Sequence, residues 1–209
     1  MSSLTLRVLT GALLAAVGVA SAISSSWAQQ PQTMRVRGAI EKVDGNTVVV
    51  KAADGASVTL TLAGNVQIVV VVKATLAEIK AGSFVGSAAM PQADGSQKAV
   101  EIHIFPEALR GTGEGHRPWD LMPNSTMTNA TVAQMVKGME GDEITLKYKD
   151  GERKIVVVPN TTIVTYVPAD KSELKPGVKI FISAANKKED GTLEAAAISV
   201  GRDGITPPM

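Results

Sequence analysis

Apolar and polar positions alternate along most of the chain in short runs, and Gly, Asp or Asn residues punctuate these runs. Residues 46–53 are typical, because Val48 and Val50 lie on the opposite parity to Lys51. Period-two runs bounded by such turn residues predict β-strands. The same order of runs occurs in residues 34–105 and again in residues 127–200. We therefore predict about five strands in each segment.

The two strand-rich segments are copies of one sequence pattern. NTVVVKAADG (46–55) returns as DEITLKYKDG (142–151), and MPQADG returns as NKKEDG, both at an offset of 96 residues. Between these motifs, EIKAG (78–82) returns as ELKPG (173–177) at an offset of 95. A period this long, present only twice, is typical of a tandem pair of small domains and not of a solenoid.

Short strands with frequent turn signals favour a small closed β-barrel or a sandwich for each copy. A copy of about 70 residues is large enough to fold alone, but only marginally. The sequence thus predicts an all-β fold with a first domain at 34–105, an ordered linker at 106–126 and a second domain at 127–200. Residues 201–209 are expected to form a flexible C-terminal tail.

The strand order, the Asp-Gly hairpins and the Leu/Ile-Lys-Ala/Pro-Gly turn resemble a family of exported bacterial domains of unknown function with an OB-like barrel. The resemblance covers nearly all of the chain after residue 28 as two copies. It implies two tandem small OB-like β-barrels of about five strands each. The family has no established catalytic residues, and OB-like barrels host many functions, so the resemblance implies a fold and no activity.

The N-terminus has the pattern of a secretory signal peptide covering residues 1–28. A lone basic residue, Arg7, precedes an apolar run from Val8 to Ile23, and Ser26-Trp27-Ala28 fits a small-x-small cleavage site. An uncleaved membrane anchor is the alternative, but the run is short and no basic stop-transfer cluster follows it. We expect a periplasmic protein with no transmembrane span once the signal peptide is removed.

Composition excludes several functional classes. The chain has no cysteine, which rules out disulfides, thiolate metal sites, covalent haem attachment and cysteine nucleophiles. Its 21 basic and 20 acidic residues become equal in number when Arg7 is removed with the signal peptide. A neutral chain with few aromatic residues has neither the basic groove nor the stacking surface that nucleic-acid binding requires.

Catalytic motifs are absent from the sequence as well. The chain contains no G-x-S-x-G, no P-loop and no dinucleotide fingerprint, and its two histidines are too few for a convincing triad. We therefore expect a protein that is not an enzyme.

The linker 106–126 has no counterpart after the second repeat and is too long to be a passive connector. Its possible ligand-binding residues are Arg110, Glu114, His116, Arg117, Trp119 and Asp120. They could form a lid that grips a ligand. The favoured alternative is a structural strap in which Trp119 packs between the domains while Arg117 pairs with Asp120, because a lone tryptophan usually packs.

The two histidines raise the possibility of a divalent metal site. His116 with Glu114 and Asp120 would supply nitrogen and oxygen ligands, although no closely spaced histidine pair supports such a site. His103 is expected to be a solvated strand residue that faces outward with Glu101, because Ile102 and Ile104 share the opposite face.

The continuous valine run 69–72 indicates burial on both faces of a strand. A covered barrel wall is the favoured explanation, and a homodimer contact is the alternative. Together these features predict a soluble periplasmic binding or adaptor protein without catalytic activity or cofactor. Its partner would be an unknown periplasmic protein or a small ligand. The alternative function is the binding or handling of a divalent metal.

Overall fold

The computed structural model describes residues 32–139 and 141–207, and the regular structure of these residues is almost entirely β. The predicted all-β class is therefore confirmed, whereas the predicted signal peptide lies outside the described residues. Within the described ranges, no helix is long and apolar enough to span a membrane. The strands are β1 (Thr33–Asp44), β2 (Thr47–Ala52), β3 (Ser57–Lys73), β4 (Phe84–Pro91), β5 (Gln97–Ile104), β6 (Gly115–Pro118), β7 (Thr126–Val136), β8 (Asp142–Tyr148), β9 (Gly151–Val157), β10 (Thr162–Ala169), β11 (Lys179–Lys187) and β12 (Leu193–Gly201). Single 3₁₀ turns occupy Leu76–Glu78, Glu107–Leu109 and Lys171–Glu173.

Five strands close into a barrel in the order β1, β2, β3, β12 and β11. β1 pairs antiparallel with β2 and with β11, and the parallel pairing of β3 with β12 closes the ring. Alternate residues point inward, so that Ile40, Val48 and Ile198 are at most 2% exposed. Burial of this aliphatic core, worth about 25 cal/mol per Å² of apolar surface, holds the barrel together. A closed small β-barrel, as predicted, is thus present.

A second ring of strands follows the same plan. β4 pairs antiparallel with β5 and β7, and β7, β8 and β9 form a meander. A short parallel pairing of β5 with β9, through Gln97–Ile155 and Lys98–Val156, closes the ring. This second ring has its own aliphatic core, which includes Ile102, Ile144 and Leu146.

Each sequence repeat contributes strands to both rings. β1–β3 of the first repeat are completed by β11 and β12 of the second repeat, and β7–β9 are completed by β4 and β5 of the first. The prediction of two tandem domains, one at 34–105 and one at 127–200, is therefore not confirmed. The reason is that the two copies bury nearly the same pattern of residues. A strand such as β1 can accordingly take its partner from either copy.

The two repeats meet where β3 pairs antiparallel with β10. Val71 lies opposite Tyr166, and these two residues are separated by the same 95 positions as the two turn motifs. A pseudo-two-fold axis therefore passes through this pair. Val70 and Val71 are fully buried at the junction (0% exposed). A covered wall within one chain accounts for the valine run.

The linker and the C-terminal residues both lie against this core. β6 of the linker pairs with β7, with His116 opposite Thr128. After β12, Arg202 forms an ion pair with Glu173 (2.6 Å), and Lys179 Nζ donates to the Thr206 hydroxyl (2.9 Å). Residues 202–207, which belong to the predicted C-terminal tail, thus make contacts with the 3₁₀ turn at Lys171–Glu173 and with β11.

Candidate functional site

A cavity of about 310 Å³ lies where the first barrel, the second ring and the linker meet. All three parts of the molecule contribute to its walls. The first barrel supplies Val69, Phe181 and Ile198, the second ring supplies His103, Met127 and Asn129, and the linker supplies Leu109, Arg117 and Trp119. The rim carries the exposed residues Gln67, Ser183 and Ala197, through which the cavity communicates with solvent.

Aromatic rings form much of the cavity wall. Phe105, Trp119, Tyr166 and Phe181 line it, which is four of the seven Phe, Tyr and Trp residues in the chain. Phe105 lies 4.7 Å from the His103 ring and 5.7 Å from the Tyr166 ring, measured between centroids. Such a concentration of rings in an aromatic-poor protein provides a large apolar surface with defined edges and faces.

His103 is buried at this wall and not solvated. Its side chain and that of Glu101 are both 1% exposed, and His103 Nδ1 lies 2.7 Å from Glu101 Oε1. The predicted parity was correct, since Ile102 points into the opposite core, but the outward face of β5 is covered by Phe105 and Tyr166. The expectation of a solvated histidine is therefore wrong. Burial, and secondarily the charge of Glu101, raises the pKa of Tyr166 well above its usual value.

Gly86 makes room for the histidine. It lies between His103 on β5 and Asn129 on β7, and a Cβ atom at position 86 would overlap the imidazole and crowd the Asn129 amide. At the equivalent position of the first barrel, Phe181 lies between Ser199 and Arg37. The first barrel therefore has the large Phe181 where the second ring has Gly86, and the small Ser199 where the second ring has His103.

Three buried polar atoms in and behind the cavity wall have no hydrogen-bond partner among the described residues: Glu101 Oε2, Trp119 Nε1 and Asn129 Oδ1. Asn129 is only 5% exposed, and its Nδ2 donates to the Thr112 carbonyl (2.9 Å), which orients the amide. Trp119 and Asn129 line the cavity directly. Because most buried polar groups are hydrogen-bonded, this concentration at one place indicates a site for a ligand or ordered water.

Arginines surround the indole of Trp119. The guanidinium carbons of Arg35, Arg117 and Arg37 lie 4.0, 5.3 and 5.9 Å from the ring centroid. Asp120 pairs with Arg37 (2.8 Å) and Arg35 (3.1 Å). The prediction had paired it with Arg117 instead. Hydrogen bonds from Arg37 and then Arg35 lower the pKa of the Asp120 carboxyl to about 2. Trp119 is partly buried; it contacts Arg35 and Arg37 of the first barrel and also lines the cavity.

The other predicted linker residues are placed differently. His116 is half-buried, with Nδ1 2.8 Å from Thr128 Oγ1, and burial followed by the charges of Arg153 and Arg117 lowers its pKa. Arg110 pairs with Glu107 on the exposed side of the linker. The Glu114 carboxylate accepts a hydrogen bond from the Lys149 backbone N–H.

Of the six predicted ligand-binding residues, only Arg117 and Trp119 line the cavity, while Arg110, Glu114, His116 and Asp120 do not. The three residues of the metal hypothesis have separate partners: Thr128 for His116, Lys149 for Glu114, and the two arginines of β1 for Asp120. Within 32–139 and 141–207, no group of three or more acidic, histidine or cysteine side chains could hold a metal ion.

The sequence reasoning missed Phe105, Asn129, Tyr166 and Phe181 as components of the site. A signal for this site was present in the repeats. Where the two copies are aligned by their turn motifs, Gly86 and His103 of one copy stand against Phe181 and Ser199 of the other. This reversal of size at paired positions marks a place where the surfaces of the two copies differ in shape.

No protein-family model, no curated protein and no solved structure matches this chain. The resemblance to exported bacterial OB-like domains accordingly stays a prediction. What the protein does is to be inferred from the chemistry of the cavity.

Proposed function

We propose that this protein is a non-catalytic binding protein that takes a small ligand into the cavity between the first barrel, the second ring and the linker. The observation that carries this proposal is the combination of an aromatic wall with the buried, unpartnered atoms Trp119 Nε1 and Asn129 Oδ1. An unpaired buried polar group costs about 1–3 kcal/mol. A ligand that pairs both atoms would recover that free energy in the complex.

The dimensions of the cavity support a small molecule and not a polypeptide. Its volume of about 310 Å³ lies at the lower end of the range typical of small-molecule sites, about 300–1,000 Å³. Asn129 and Met127 at its base are 5% and 1% exposed, so a ligand that reached them would be largely enclosed.

The proposal of binding without catalysis rests on the titratable groups of the wall. The lining contains one imidazole, one phenol and one guanidinium and, among the described residues, no carboxylate. The buried Glu101 binds His103 from behind, which supports the ring in one orientation. This composition suits ligand recognition, because the wall does not place an acid opposite a base, which is the arrangement that proton-transfer catalysis uses.

Export to the periplasm belongs to the same proposal and rests on the signal-peptide pattern of residues 1–28. The mature chain would then begin at Gln29, which the intact mass of protein recovered from a periplasmic extract would test. Recovery of protein with residues 1–28 attached, in the membrane fraction, would contradict this part of the proposal.

The binding function can be tested with a library of small aromatic compounds screened by ligand-observed NMR. Ser199 lines the cavity beside Phe181, so Ser199→Leu fills part of the space without touching an ion pair. We expect compounds that bind the parent protein to lose most of their affinity for Ser199→Leu. The matched control is Thr59→Leu, because Thr59 is exposed on β3 and does not line the cavity.

Thr59→Leu should bind the same compounds as the parent protein. A screen that yields no binders, or binders that are equally retained by Ser199→Leu, would refute a ligand site in this cavity.

A further inference from the structure

The polar groups of the cavity indicate the chemical class of its ligand. Among the described residues, Arg117 is the only Lys or Arg in the lining, and no Asp or Glu accompanies it there. Its Nη1 donates to the Gly113 carbonyl (2.7 Å), and in the described ranges it has no carboxylate partner. The single fixed charge at the wall is therefore a cation that lacks an anion.

The neighbourhood of Arg117 reinforces this excess of positive charge. Arg35 and Arg37 lie on the other sides of Trp119, and Asp120 is the carboxylate that binds both of them. Three guanidinium groups thus lie around a single indole, and two of them bind the same carboxylate. An anionic group of the ligand would be favoured here, since charge-assisted hydrogen bonds to arginine are among the strongest in proteins.

Two further atoms limit how the ligand is bound. The Trp119 Nε1–H is a buried donor that finds no acceptor in residues 32–139 and 141–207, and it belongs to the ring that Arg117 faces. Asn129 Oδ1 is a buried acceptor that finds no donor in the same ranges. A point above Gly113 lies 3.3 Å from both Arg117 Nη2 and Asn129 Nδ2, so these two side chains approach each other across this glycine, while Asn129 Oδ1 lies on the side of Gly86 and His103. One small ligand can therefore reach both side chains.

The other residues of the wall favour an aromatic ring in the ligand. His103, Phe105, Tyr166 and Phe181 present edges and faces that favour a planar ring over a flexible chain. An apolar protein cavity of about 150 Å³ accommodates benzene. The volume of about 310 Å³ found here leaves room for one ring and a short side chain.

We propose, building on the binding function above, that the ligand is a small aromatic carboxylate. Its carboxylate binds the Arg117 guanidinium and the Trp119 Nε1–H, its ring packs among Phe105, Tyr166 and Phe181, and a hydroxyl on the ring donates to Asn129 Oδ1.

Isothermal titration calorimetry with three probes on the full-length protein tests this assignment. The probes are para-hydroxyphenylpropanoate, its neutral amide, and propanoate, which lacks the ring. We expect the aromatic acid to bind about tenfold or more tightly than the amide, and propanoate to bind far more weakly than either. Equal affinity for the acid and the amide, or for the acid and propanoate, would overturn the assignment.

Variants of two linker arginines identify the residue responsible. Arg117→Gln should abolish the preference for acid over amide, whereas Arg117→Lys should retain it at lower affinity. Arg110→Gln is the matched control, because Arg110 lies in the same linker but outside the lining. It should behave like the parent protein. Retention of the acid preference by a folded Arg117→Gln protein would refute the role of Arg117. If Arg117→Gln does not fold, an Arg117→Lys protein that binds the acid as tightly as the parent protein would refute it instead.

The outcome of the compound screen separates this inference from the proposed function. Binders that are lost in Ser199→Leu but show no preference for a carboxylate would leave the binding function standing and remove the aromatic carboxylate. Absence of any binder to the parent protein would remove both.

Discussion

Gly86, His103 and Asn129 show how single positions distinguish the two halves of the molecule. The His103 ring can lie over position 86 only because Gly86 has no side chain, and the pair of His103 with Glu101 is buried there. Phe181 and Ser199 occupy the equivalent positions of the first barrel and reverse the order of size. The cavity lies between these two arrangements, so its two walls differ although the backbones are related.

Gly86→Ala should destabilise the protein, because the added methyl would overlap the His103 ring and crowd Asn129. Overpacking of this kind typically costs about 1–3 kcal/mol. Urea unfolding of the variant beside the parent protein measures the difference. Gly64→Ala is the matched control, since a Cβ at position 64 of β3 would meet nothing within 4 Å. Equal stabilities of the two variants would show that the His103 ring can move away at little cost.

Asp120→Asn should lower the free energy of unfolding at neutral pH by about 1 kcal/mol or less. The ion pairs with Arg35 and Arg37 lower the pKa of this carboxyl from 3.8 to about 2, but the side chain is 48% exposed and solvent screens the interaction. A lowered native pKa stabilises the fold above the unfolded-state value, and this contribution is lost as the pH falls through about 2.

The difference between the parent protein and Asp120→Asn should therefore be constant from pH 7 to about 5 and vanish near pH 2 in urea titrations. Asp44→Asn provides a comparison, because Asp44 is 76% exposed beside Lys42 and should contribute almost nothing. A difference that persists unchanged at pH 2 would argue against ion pairing as its cause.

Among the elements, the linker 106–126 has the most specialised position. A short strand, β6, attaches it to the edge of β7, and Trp119 is held by the hydrogen bond from its backbone N–H to the Ser125 carbonyl (2.8 Å). The linker thereby closes one side of the cavity while its opposite surface, which includes Arg110 and Glu114, stays exposed. It combines the two interpretations considered from the sequence, since Trp119 both packs on the first barrel and faces the cavity.

Trp119→Ala should cost about 2 kcal/mol of stability and most of the ligand affinity. A fully packed aromatic residue would cost about 3–5 kcal/mol, but the face of Trp119 toward the cavity has fewer packing partners to lose. The stacked Arg35 accounts for part of the loss, about 0.5–1 kcal/mol. Denaturant unfolding and ligand titration of the same variant measure the two effects.

Trp119→Phe is the appropriate control, because it keeps a ring under Arg35 but removes the Nε1–H. It should recover most of the stability and only part of the affinity. A Trp119→Ala protein that binds ligand as well as the parent would remove Trp119 from the site.

At the scale of the whole molecule, the exchange of strands between repeats makes the protein a single cooperative unit. The first barrel depends on β11 and β12, and the second ring depends on β4 and β5. In this arrangement, neither repeat alone provides hydrogen-bonding partners for the edges of its own strands. The pairing of β3 with β10 at the pseudo-two-fold axis adds a further connection.

Two halves of the chain, residues 32–111 and 112–209, should therefore assemble when they are produced together and fail to fold when each is produced alone. Co-expression with a tag on one half, followed by affinity purification and size-exclusion chromatography, tests this expectation. The full-length chain provides the reference elution volume and circular dichroism spectrum. Folded monomers of either half, obtained separately, would contradict the dependence of each ring on both repeats.

Local sequence was sufficient to predict the class of structure and most strands. Period-two patterns and Asp-Gly turns predicted the all-β class and a closed barrel, because strands and turns depend on neighbours along the chain. The offsets of 95 and 96 residues predicted the repeats, because the motifs can be compared directly in the sequence. The merging of residues 57–73 into one long strand was not predicted, since its pairing partners β10 and β12 are distant in sequence.

Tertiary structure alone decided which copy completes each ring and where the site lies. Two repeats with the same buried pattern offer each strand equivalent partners. Sequence periodicity therefore does not specify that β11 and β12 complete the first barrel while β4 and β5 complete the second ring. Burial of His103 follows from the same cause, because the face opposite Ile102 becomes interior only when Tyr166 of the other repeat covers it. The sequence by itself determined which faces are apolar, and the packing of distant strands determined which polar residues, Asn129 among them, are enclosed with those faces.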